Sequence, residues 1–249
     1  MNAPLRRTVL GALVVLTAAC GGRQDPIGNL GAEELWNAGV TAYNAEDWRE
    51  AIRYFDRYVL VGGSDPRVIQ ARYYVGQAYF QQRQYVTAAS ELSRLAADLG
   101  RTDLADDARF LACRAYDELS PNPQLDQEYT RAALDHCGAL LDYFPDSEYA
   151  GQAADIIRGL RGKLAEKAFD AGRWYHRRRA YDSALIYYED VVENYPESEW
   201  APRSLLRQYE IYGVLEYEEE REEVRRRLVE DYPDSREASQ VREGAPSVG

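Results

Sequence analysis

Apolar residues recur along this chain at helical spacing, and one pattern of small and large residues returns at a fixed distance. In this pattern a Gly is followed by an aromatic residue nine positions later, an Ala three positions after that, and a large apolar residue after four more. The three sets are Gly39, Trp48, Ala51 and Phe55; Gly76, Tyr85, Ala88 and Leu92; and Gly172, Tyr181, Ala184 and Tyr188. Gly and Ala allow two helices to cross closely, and the larger residues fill the space beside the crossing. The repeated spacing therefore predicts stacked helical hairpins.

Three similar segments mark the ends of predicted hairpins. They read YFPDSEYA, YPESEWA and YPDSREA, and they begin at Tyr143, Tyr195 and Tyr232. Proline cannot continue a helix and disfavours helical backbone in the residue before it. The Asp or Ser that follows can cap the next helix. Each segment therefore predicts the end of one helix and the beginning of another.

The predicted fold is an all-α solenoid of about five helical hairpins, which resembles tetratricopeptide repeats, helix–turn–helix units of about 34 residues. The N-terminal repeats occupy residues 32–105 and the C-terminal repeats residues 106–238. The third repeat is irregular, because Cys113 stands at the Gly position and residues 118–129 lengthen the turn. The fourth has an extended first helix, and the fifth lacks the Gly and Ala. The five hairpins are placed at 32–65, 69–102, 106–149, 165–198 and 202–235.

The first nineteen residues have the anatomy of a secretory signal. Arg6 and Arg7 precede an apolar run of about 12 residues, which ends at Cys20. A run of that length is too short to span a bilayer, which takes about 20 apolar residues. The segment resembles a bacterial lipoprotein signal, in which the Cys becomes the acylated N-terminus. Thr17 stands where that pattern has an aliphatic residue, which leaves ordinary cleavage after Ala19 open.

The predicted folded body is flanked by segments without a core. Residues 20–31 are rich in Gly and polar residues and are expected to form a flexible tether behind the lipidated Cys20. Residues 239–249 are expected to form a disordered tail. Gly21, rather than Asp, follows Cys20, which by resemblance to bacterial lipoproteins indicates anchoring in the outer membrane, on its periplasmic face.

Charge and composition exclude several classes of function. The formal net charge of −12 argues against nucleic acid as a partner, because phosphate contacts need a basic surface. It also argues against holding anionic lipid by charge alone. His136 and His176 lie in different predicted repeats, and acidic pairs such as Asp106 and Asp107 are interpreted as solvated helix starts. We therefore predict no catalytic site, no metal site and no cofactor.

Two long segments resemble a known family. They are residues 116–150, YDELSPNPQLDQEYTRAALDHCGALLDYFPDSEYA, and residues 160–201. Together with a lipoprotein Cys, a short tether and five repeats, they resemble the BamD family, formerly ComL, of outer-membrane assembly lipoproteins. The resemblance implies a non-enzymatic scaffold that works in a hetero-complex. Its C-terminal repeats would bind a BamA-type barrel insertase, and its N-terminal repeats would bind unfolded outer-membrane proteins.

Two other classes of function stay open at this point. The chain could be another envelope repeat lipoprotein that organises cell-wall or division factors. If Cys20 is not acylated, it could be a soluble, chaperone-like binder of the periplasm. The family-like segment at 116–201 separates the first reading from the second, and the lipid state of Cys20 separates both from the third.

The first candidate site is a substrate groove on the first helices of the repeats, which line the concave face in repeats of this type. Its aromatic residues suit a segment that ends in aromatic side chains, as the signals of outer-membrane barrels do. The alternative is that the rings pack between repeats. The predicted groove residues are Trp36, Val40, Tyr43, Tyr73, Gln77, Phe80, Phe110 and Phe169.

The second candidate site is the basic cluster Arg173, Arg177, Arg178 and Arg179, in the turn of the fourth repeat. In an acidic protein, such a cluster can attract an acidic partner surface. The resemblance places the insertase contact in this half of the chain. The alternative is a solvated turn without a partner.

Two cysteines remain besides Cys20, and they fall on the two helices of the third hairpin. A disulfide between Cys113 and Cys137 is one reading, because the compartment is oxidising. Two buried free thiols are the favoured reading.

Overall fold

The computed structural model of the protein describes residues 26–242, and helices account for most of that range. A short 3-10 helix at Pro26–Asn29 comes first, and no strand occurs among the described residues. The α-helices are α1 (Ala32–Asn44), α2 (Trp48–Val61), α3 (Arg67–Gln81), α4 (Tyr85–Leu99), α5 (Asp103–Leu119), α6 (Glu128–Tyr143), α7 (Ala150–Arg177), α8 (Tyr181–Asn194), α9 (Trp200–Leu215), α10 (Glu218–Asp231) and α11 (Arg236–Arg242).

The helices form a stack of five hairpins. Helix α1 pairs with α2, α3 with α4, α5 with α6, α7 with α8, and α9 with α10. The first helices of successive hairpins also contact one another, from α1 through α9, and so form one layer of the stack. Helix α11 covers the far end of the last hairpin. The prediction of an all-α, tetratricopeptide-type solenoid is confirmed.

Close helix crossings explain the repeated Gly. A Cβ atom added at any of these glycines would lie 2.6–2.7 Å from the side chain of a large residue on the second helix. Real Cβ contacts are not that short, so only Gly permits the crossing. The three pairs are Gly39 with Phe55, Gly76 with Leu92, and Gly172 with Tyr188, always sixteen residues apart.

The third hairpin replaces this contact with a disulfide. Cys113 stands at the Gly position on α5, and Cys137 on α6 takes the place of the large apolar residue. The separation is 24 residues, because the turn of this hairpin is longer. The structure bonds the two Sγ atoms, with an S–S distance of 2.02 Å and a Cα–Cα distance of 4.9 Å. The structure therefore shows the disulfide, and the favoured reading of two buried free thiols is wrong.

Internal hydrogen bonds order the long turn of the third hairpin. Gln127 and Thr130 are buried, and the Thr130 hydroxyl donates to Gln127 Oε1 at 2.6 Å. Gln127 Nε2 donates to the carbonyl oxygen of Asn122 at 2.8 Å, and Ser120 Oγ lies 2.7 Å from Thr130 Oγ1. The turn therefore has an ordered conformation, because its buried polar groups are hydrogen-bonded.

The folded body begins earlier than predicted. Ile27 is only 7% exposed, and with Leu30 it joins the core cluster around Leu35. Arg57 Nη2 also lies 3.4 Å from the carbonyl oxygen of Gly28. The prediction of a coreless tether over 20–31 is therefore wrong for residues 26–30, because two apolar side chains in that segment find space on the first hairpin.

The folded body also ends later than predicted. The boundary at residue 238 falls inside α11, which continues to Arg242. Ala238 and Val241 are buried against Val224 and Leu228, which explains why the helix persists. The predicted signal at 1–19, Cys20 and the remainder of the predicted tail at 243–249 lie outside the described residues.

None of the helices within residues 26–242 combines the length and the apolar character that crossing a membrane would take.

Candidate functional site

A row of polar side chains crosses the layer of first helices in the N-terminal half. The Tyr43 hydroxyl on α1 donates to Gln77 Oε1 on α3 at 2.8 Å. Gln77 Nε2 in turn donates to the Tyr73 hydroxyl at 3.1 Å. Farther along, the Tyr149 hydroxyl donates to Asp107 Oδ1 on α5 at 2.8 Å. We call these five residues, Tyr43, Tyr73, Gln77, Asp107 and Tyr149, the tyrosine row; all are partly exposed.

Electrostatics connect the two halves of the tyrosine row. Burial raises the pKa of Tyr73, and the negative charge of Asp107 raises it further. The hydrogen bond to Asp107 raises the pKa of Tyr149 to about 12. Both phenols are therefore protonated at neutral pH. The Tyr149 proton is used in the bond to Asp107, whereas the Tyr73 hydroxyl accepts from Gln77 and keeps its own O–H to donate to a peptide carbonyl.

Apolar side chains adjoin one end of the tyrosine row. The Trp36 ring packs 5.4 Å from the Tyr58 ring and 5.8 Å from the Phe55 ring, measured between centroids. The guanidinium of Arg67 lies 5.4 Å from the Trp36 ring centroid. Val40 packs against the same core cluster. Trp36 and Val40 stay partly exposed, so an apolar ligand can reach them.

Three predicted groove residues are not accessible. Phe80 is 9% exposed, Phe110 6% and Phe169 5%. The Phe110 ring stacks on Tyr149, with centroids 4.3 Å apart, and Phe169 packs between Tyr188 and Trp200 at 5.4 and 5.0 Å. These rings pack between repeats, which was the alternative reading. The groove proposal is therefore limited to Trp36, Val40, Tyr43, Tyr73 and Gln77.

The structure also assigns partners to two acidic residues that the sequence suggested were solvated. Asp106 accepts a hydrogen bond from the Ser147 hydroxyl at 2.9 Å, and Asp107 accepts one from Tyr149. Burial raises the pKa of Asp106. Both carboxylates thus tie α5 to the residues that precede α7. Sequence reasoning missed Asp107 and Tyr149 because they are 42 residues apart and belong to no shared motif.

The four arginines of the predicted basic cluster lie together at the turn between α7 and α8, and all are exposed. Arg173 Nη2 forms an ion pair with Asp170 at 2.8 Å. The Arg178 guanidinium lies 3.5 Å from the ring centroid of Trp174, which is itself 44% exposed. Stacking of this kind is a cation–π contact. The surface is therefore a basic patch around an exposed tryptophan, a residue that sequence reasoning did not include.

The two histidines lie in different hairpins, His136 on α6 and His176 on α7. His136 stacks on Tyr116 at 4.7 Å, and His176 meets Tyr181 edge-on at 5.8 Å. Burial lowers the pKa of both. Among residues 26–242, no three or more His, Cys, Asp or Glu side chains are grouped so that they could hold a metal ion.

Five stacked hairpins with Gly-mediated crossings define this chain as a tetratricopeptide-type solenoid. Residues 29–228 match the family model named YfiO and described as outer membrane lipoprotein, and the chain belongs to this family. The resemblance to the BamD family is thereby confirmed.

The chain is also similar to proteins that carry the name of this family. A Caulobacter vibrioides protein named outer membrane protein assembly factor BamD is 25% identical over 76% of this chain and 62% of its own length. The chain thus spans less than two thirds of that relative. A Vibrio cholerae protein of the same name is 24% identical, over 84% of this chain and 91% of its own length. Among solved structures, the TPR domain of P58(IPK) aligns with a TM-score of 0.45 at 17% identity, covering 85% of this chain and 54% of that domain.

Proposed function

We propose that this protein is a lipid-anchored scaffold of the machinery that assembles β-barrel proteins in the outer membrane. Its C-terminal repeats bind a BamA-type insertase, and its N-terminal repeats bind unfolded outer-membrane proteins. The observation that carries the proposal is the family match over 29–228, together with relatives named as outer membrane protein assembly factors. Lipidation of Cys20 holds the scaffold on the periplasmic face of the outer membrane.

The tyrosine row and Trp36 support the substrate-binding half of the proposal. An extended, unfolded segment exposes backbone carbonyl and N–H groups that need partners. Tyr43, Tyr73 and Gln77 present hydroxyl and amide groups on one face, and Trp36 and Val40 add apolar surface beside them. The site thus combines backbone hydrogen bonding with a place for an aromatic side chain, as an unfolded barrel segment that ends in an aromatic residue requires.

Removing the polar groups of the row tests substrate binding. Tyr73→Phe combined with Gln77→Ala is expected to weaken binding of such a peptide about thirtyfold, because two hydrogen bonds of about 1 kcal/mol each are lost. The probe is a labelled peptide from the C-terminal strand of an outer-membrane barrel, measured by fluorescence anisotropy.

Tyr187→Phe is the matched control, because Tyr187 stacks on Tyr175 in the fourth hairpin and has no contact with the row. It is expected to bind the peptide like the wild type. Equal affinity of the double variant and the control would contradict the assignment of the groove.

The exposed arginines support the insertase-binding half. Arg177, Arg178 and Arg179 make no ion pair with any described residue, so their charges are available to a partner. The neighbouring Trp174 adds a large exposed ring, and Trp and Arg are the residue types that most often dominate protein interfaces. An acidic surface on the insertase would match this patch.

Charge reversal tests this contact. Arg177→Glu with Arg178→Glu is expected to weaken binding of the insertase's periplasmic domain about tenfold or more, mainly through slower association. Binding is measured by surface plasmon resonance at two salt concentrations, and the difference from wild type should shrink in high salt.

The control carries the same change of charge at turns of other hairpins. Arg49 follows the turn of the first hairpin and Arg83 lies in the turn of the second, and both are exposed. Arg49→Glu with Arg83→Glu is expected to leave insertase binding within about twofold of wild type, since surface charges away from a contact act only weakly through screened solvent. If both variants lose binding equally, the basic cluster is not the specific contact.

A further inference from the structure

A groove runs along the middle of α7, apart from both surfaces described above. Its volume is about 640 Å³. Gly159, Gly162 and Glu166 form its floor on α7, Pro123 lies on one side, and Trp200 lies on the other. We call the space between these five residues the α7 groove; Asp155, Arg158, Lys163, Glu197, Ser198 and Glu199 complete its lining. It shares no residue with the tyrosine row or with the basic cluster.

The walls of the α7 groove are fixed to its floor. The chain has only two lysines, and both hold the long turn of the third hairpin against α7. Lys163 Nζ donates to Ser120 Oγ at 2.7 Å, and Lys167 Nζ donates to the carbonyl oxygen of Leu125 at 2.6 Å.

Arg161 fixes the opposite wall. Its guanidinium donates to the carbonyl oxygen of Asn194 at 2.6 Å and forms an ion pair with Glu197. Because both walls are held by side chains of the same helix, the groove exists before any ligand arrives. A preformed groove spares the ligand the entropic cost of ordering the protein.

The floor carries no side chain at two positions inside α7. A Cβ added at Gly159 or Gly162 would meet no atom within 4 Å, whereas one at Gly172 on the same helix would lie 2.7 Å from Tyr188. Gly inside a helix destabilises it by about 0.5–1 kcal/mol relative to Ala. Packing within the described residues explains Gly172 but not Gly159 and Gly162. The missing side chains leave room for another backbone to approach α7 closely.

The charges of the groove favour a basic ligand. Four carboxylates and two basic side chains line it. Three carboxylates already have partners: Asp155 pairs with Arg158, Glu197 with Arg161, and Glu199 with Arg203. Glu166 forms no hydrogen bond or ion pair with any described residue. A carboxylate without a partner beside an apolar wall is a ready acceptor for a cationic side chain.

The apolar wall suits a ring or an aliphatic side chain next to that cation. Trp200 is partly exposed, and its ring is held in place by Phe169 at 5.0 Å and by the Arg203 guanidinium at 4.6 Å. Pro123 faces the groove from the long turn. Concave sites that combine apolar side chains with a few placed polar groups are typical of ligand binding in proteins.

We propose that the α7 groove binds an extended segment of a second protein in which Arg or Lys stands next to an aromatic or aliphatic residue. The basic side chain pairs with Glu166, the apolar side chain packs on Trp200 and Pro123, and the backbone passes over the two glycines. This is a third binding surface, in the centre of the solenoid, that the substrate and insertase contacts leave free.

Positional-scanning pools of acetylated hexapeptides test the proposal on the full-length protein in detergent. Pools with fixed Arg or Lys are expected to bind at least about tenfold tighter than pools with fixed Glu, because the base pairs with Glu166 whereas a fixed Glu is repelled by it. Gly162→Leu fills the floor and is expected to weaken the best pools about tenfold. Glu166→Gln is expected to remove the preference for a basic residue.

Gly151→Leu is the matched control, because Gly151 also lies on α7 with open space around it but outside the groove. It is expected to bind the pools like wild type. Gly151, Gly162 and Glu166 are all surface accessible, so we expect the three variants to fold like wild type. Equal thermal unfolding midpoints of wild type and variants would exclude misfolding as the cause of weaker binding. Pools without a preference for a base, or Gly162→Leu binding like wild type, would overturn the proposal.

Discussion

Replacing both bonded cysteines with alanine is expected to lower the free energy of unfolding by about 3 kcal/mol. The disulfide closes a loop of 24 residues, and its loss gives conformational freedom back to the unfolded chain. Cys113 and Cys137 are also fully buried, so two alanines would leave a gap at the helix crossing. Urea unfolding of Cys113→Ala with Cys137→Ala, in a Cys20→Ser background, measures the effect.

A second double variant separates the covalent bond from the packing. Cys113→Gly with Cys137→Leu installs the residue pair found at Gly76 and Leu92, and it is expected to lose less stability than the alanine pair because the crossing is filled again. Reductant should lower the urea midpoint of the Cys20→Ser protein and leave both double variants unchanged. Two titratable thiols in the unreduced, denatured Cys20→Ser protein would contradict the disulfide.

Two alanine substitutions on α7 are expected to change stability in opposite directions. Gly172→Ala should destabilise the protein by about 1–3 kcal/mol, because the new Cβ overpacks the core. That atom would lie 2.7 Å from the Tyr188 ring, which is fully buried and cannot move aside. Gly162→Ala should stabilise it by about 0.5–1 kcal/mol, because Ala favours helix and the site is open.

The urea midpoints of the two variants, measured side by side, check this pair of effects. Helix, residue change and method are the same, so only the surroundings of the two glycines differ. Equal shifts in the same direction would mean that the tight crossing at Gly172 does not hold in solution.

The hairpins could be predicted because each crossing leaves its residues at a fixed separation. The rule of sixteen residues between Gly and its large partner holds in three hairpins. In the third, the same rule fails because the longer turn moves the partner to Cys137. With that turn length known, Cys113 and Cys137 would have stood out as the pair that occupies the crossing, and the disulfide would have been the favoured reading.

The sequence could not predict which residues of the substrate groove are accessible. Positions that are equivalent in the repeat are covered by neighbouring side chains in some hairpins and not in others. Phe110 and Phe169 occupy the same position in their repeats as Trp36 and Tyr73 do in theirs. Tyr149 stacks on Phe110, and Trp200 packs on Phe169. These covering residues come from the beginning of the next hairpin, which the spacing of a single repeat does not describe. Where no aromatic residue follows, the ring remains accessible.

The α7 groove could not be predicted from sequence patterns either, because its walls come from turns of two different hairpins. The sequence does carry a signal in hindsight. Gly159 and Gly162 lie inside a long helix without a crossing to explain them, and the only two lysines, Lys163 and Lys167, follow within five residues.

Purification of the full-length protein from its own membranes in mild detergent, with mass spectrometry of its partners, tests the central proposal most directly. We predict that a BamA-type barrel insertase co-purifies in nearly equal amount, and that Cys20 carries the lipid. Absence of the insertase, with cell-wall or soluble envelope proteins in its place, would contradict the proposed role in barrel assembly and favour an envelope scaffold of another kind.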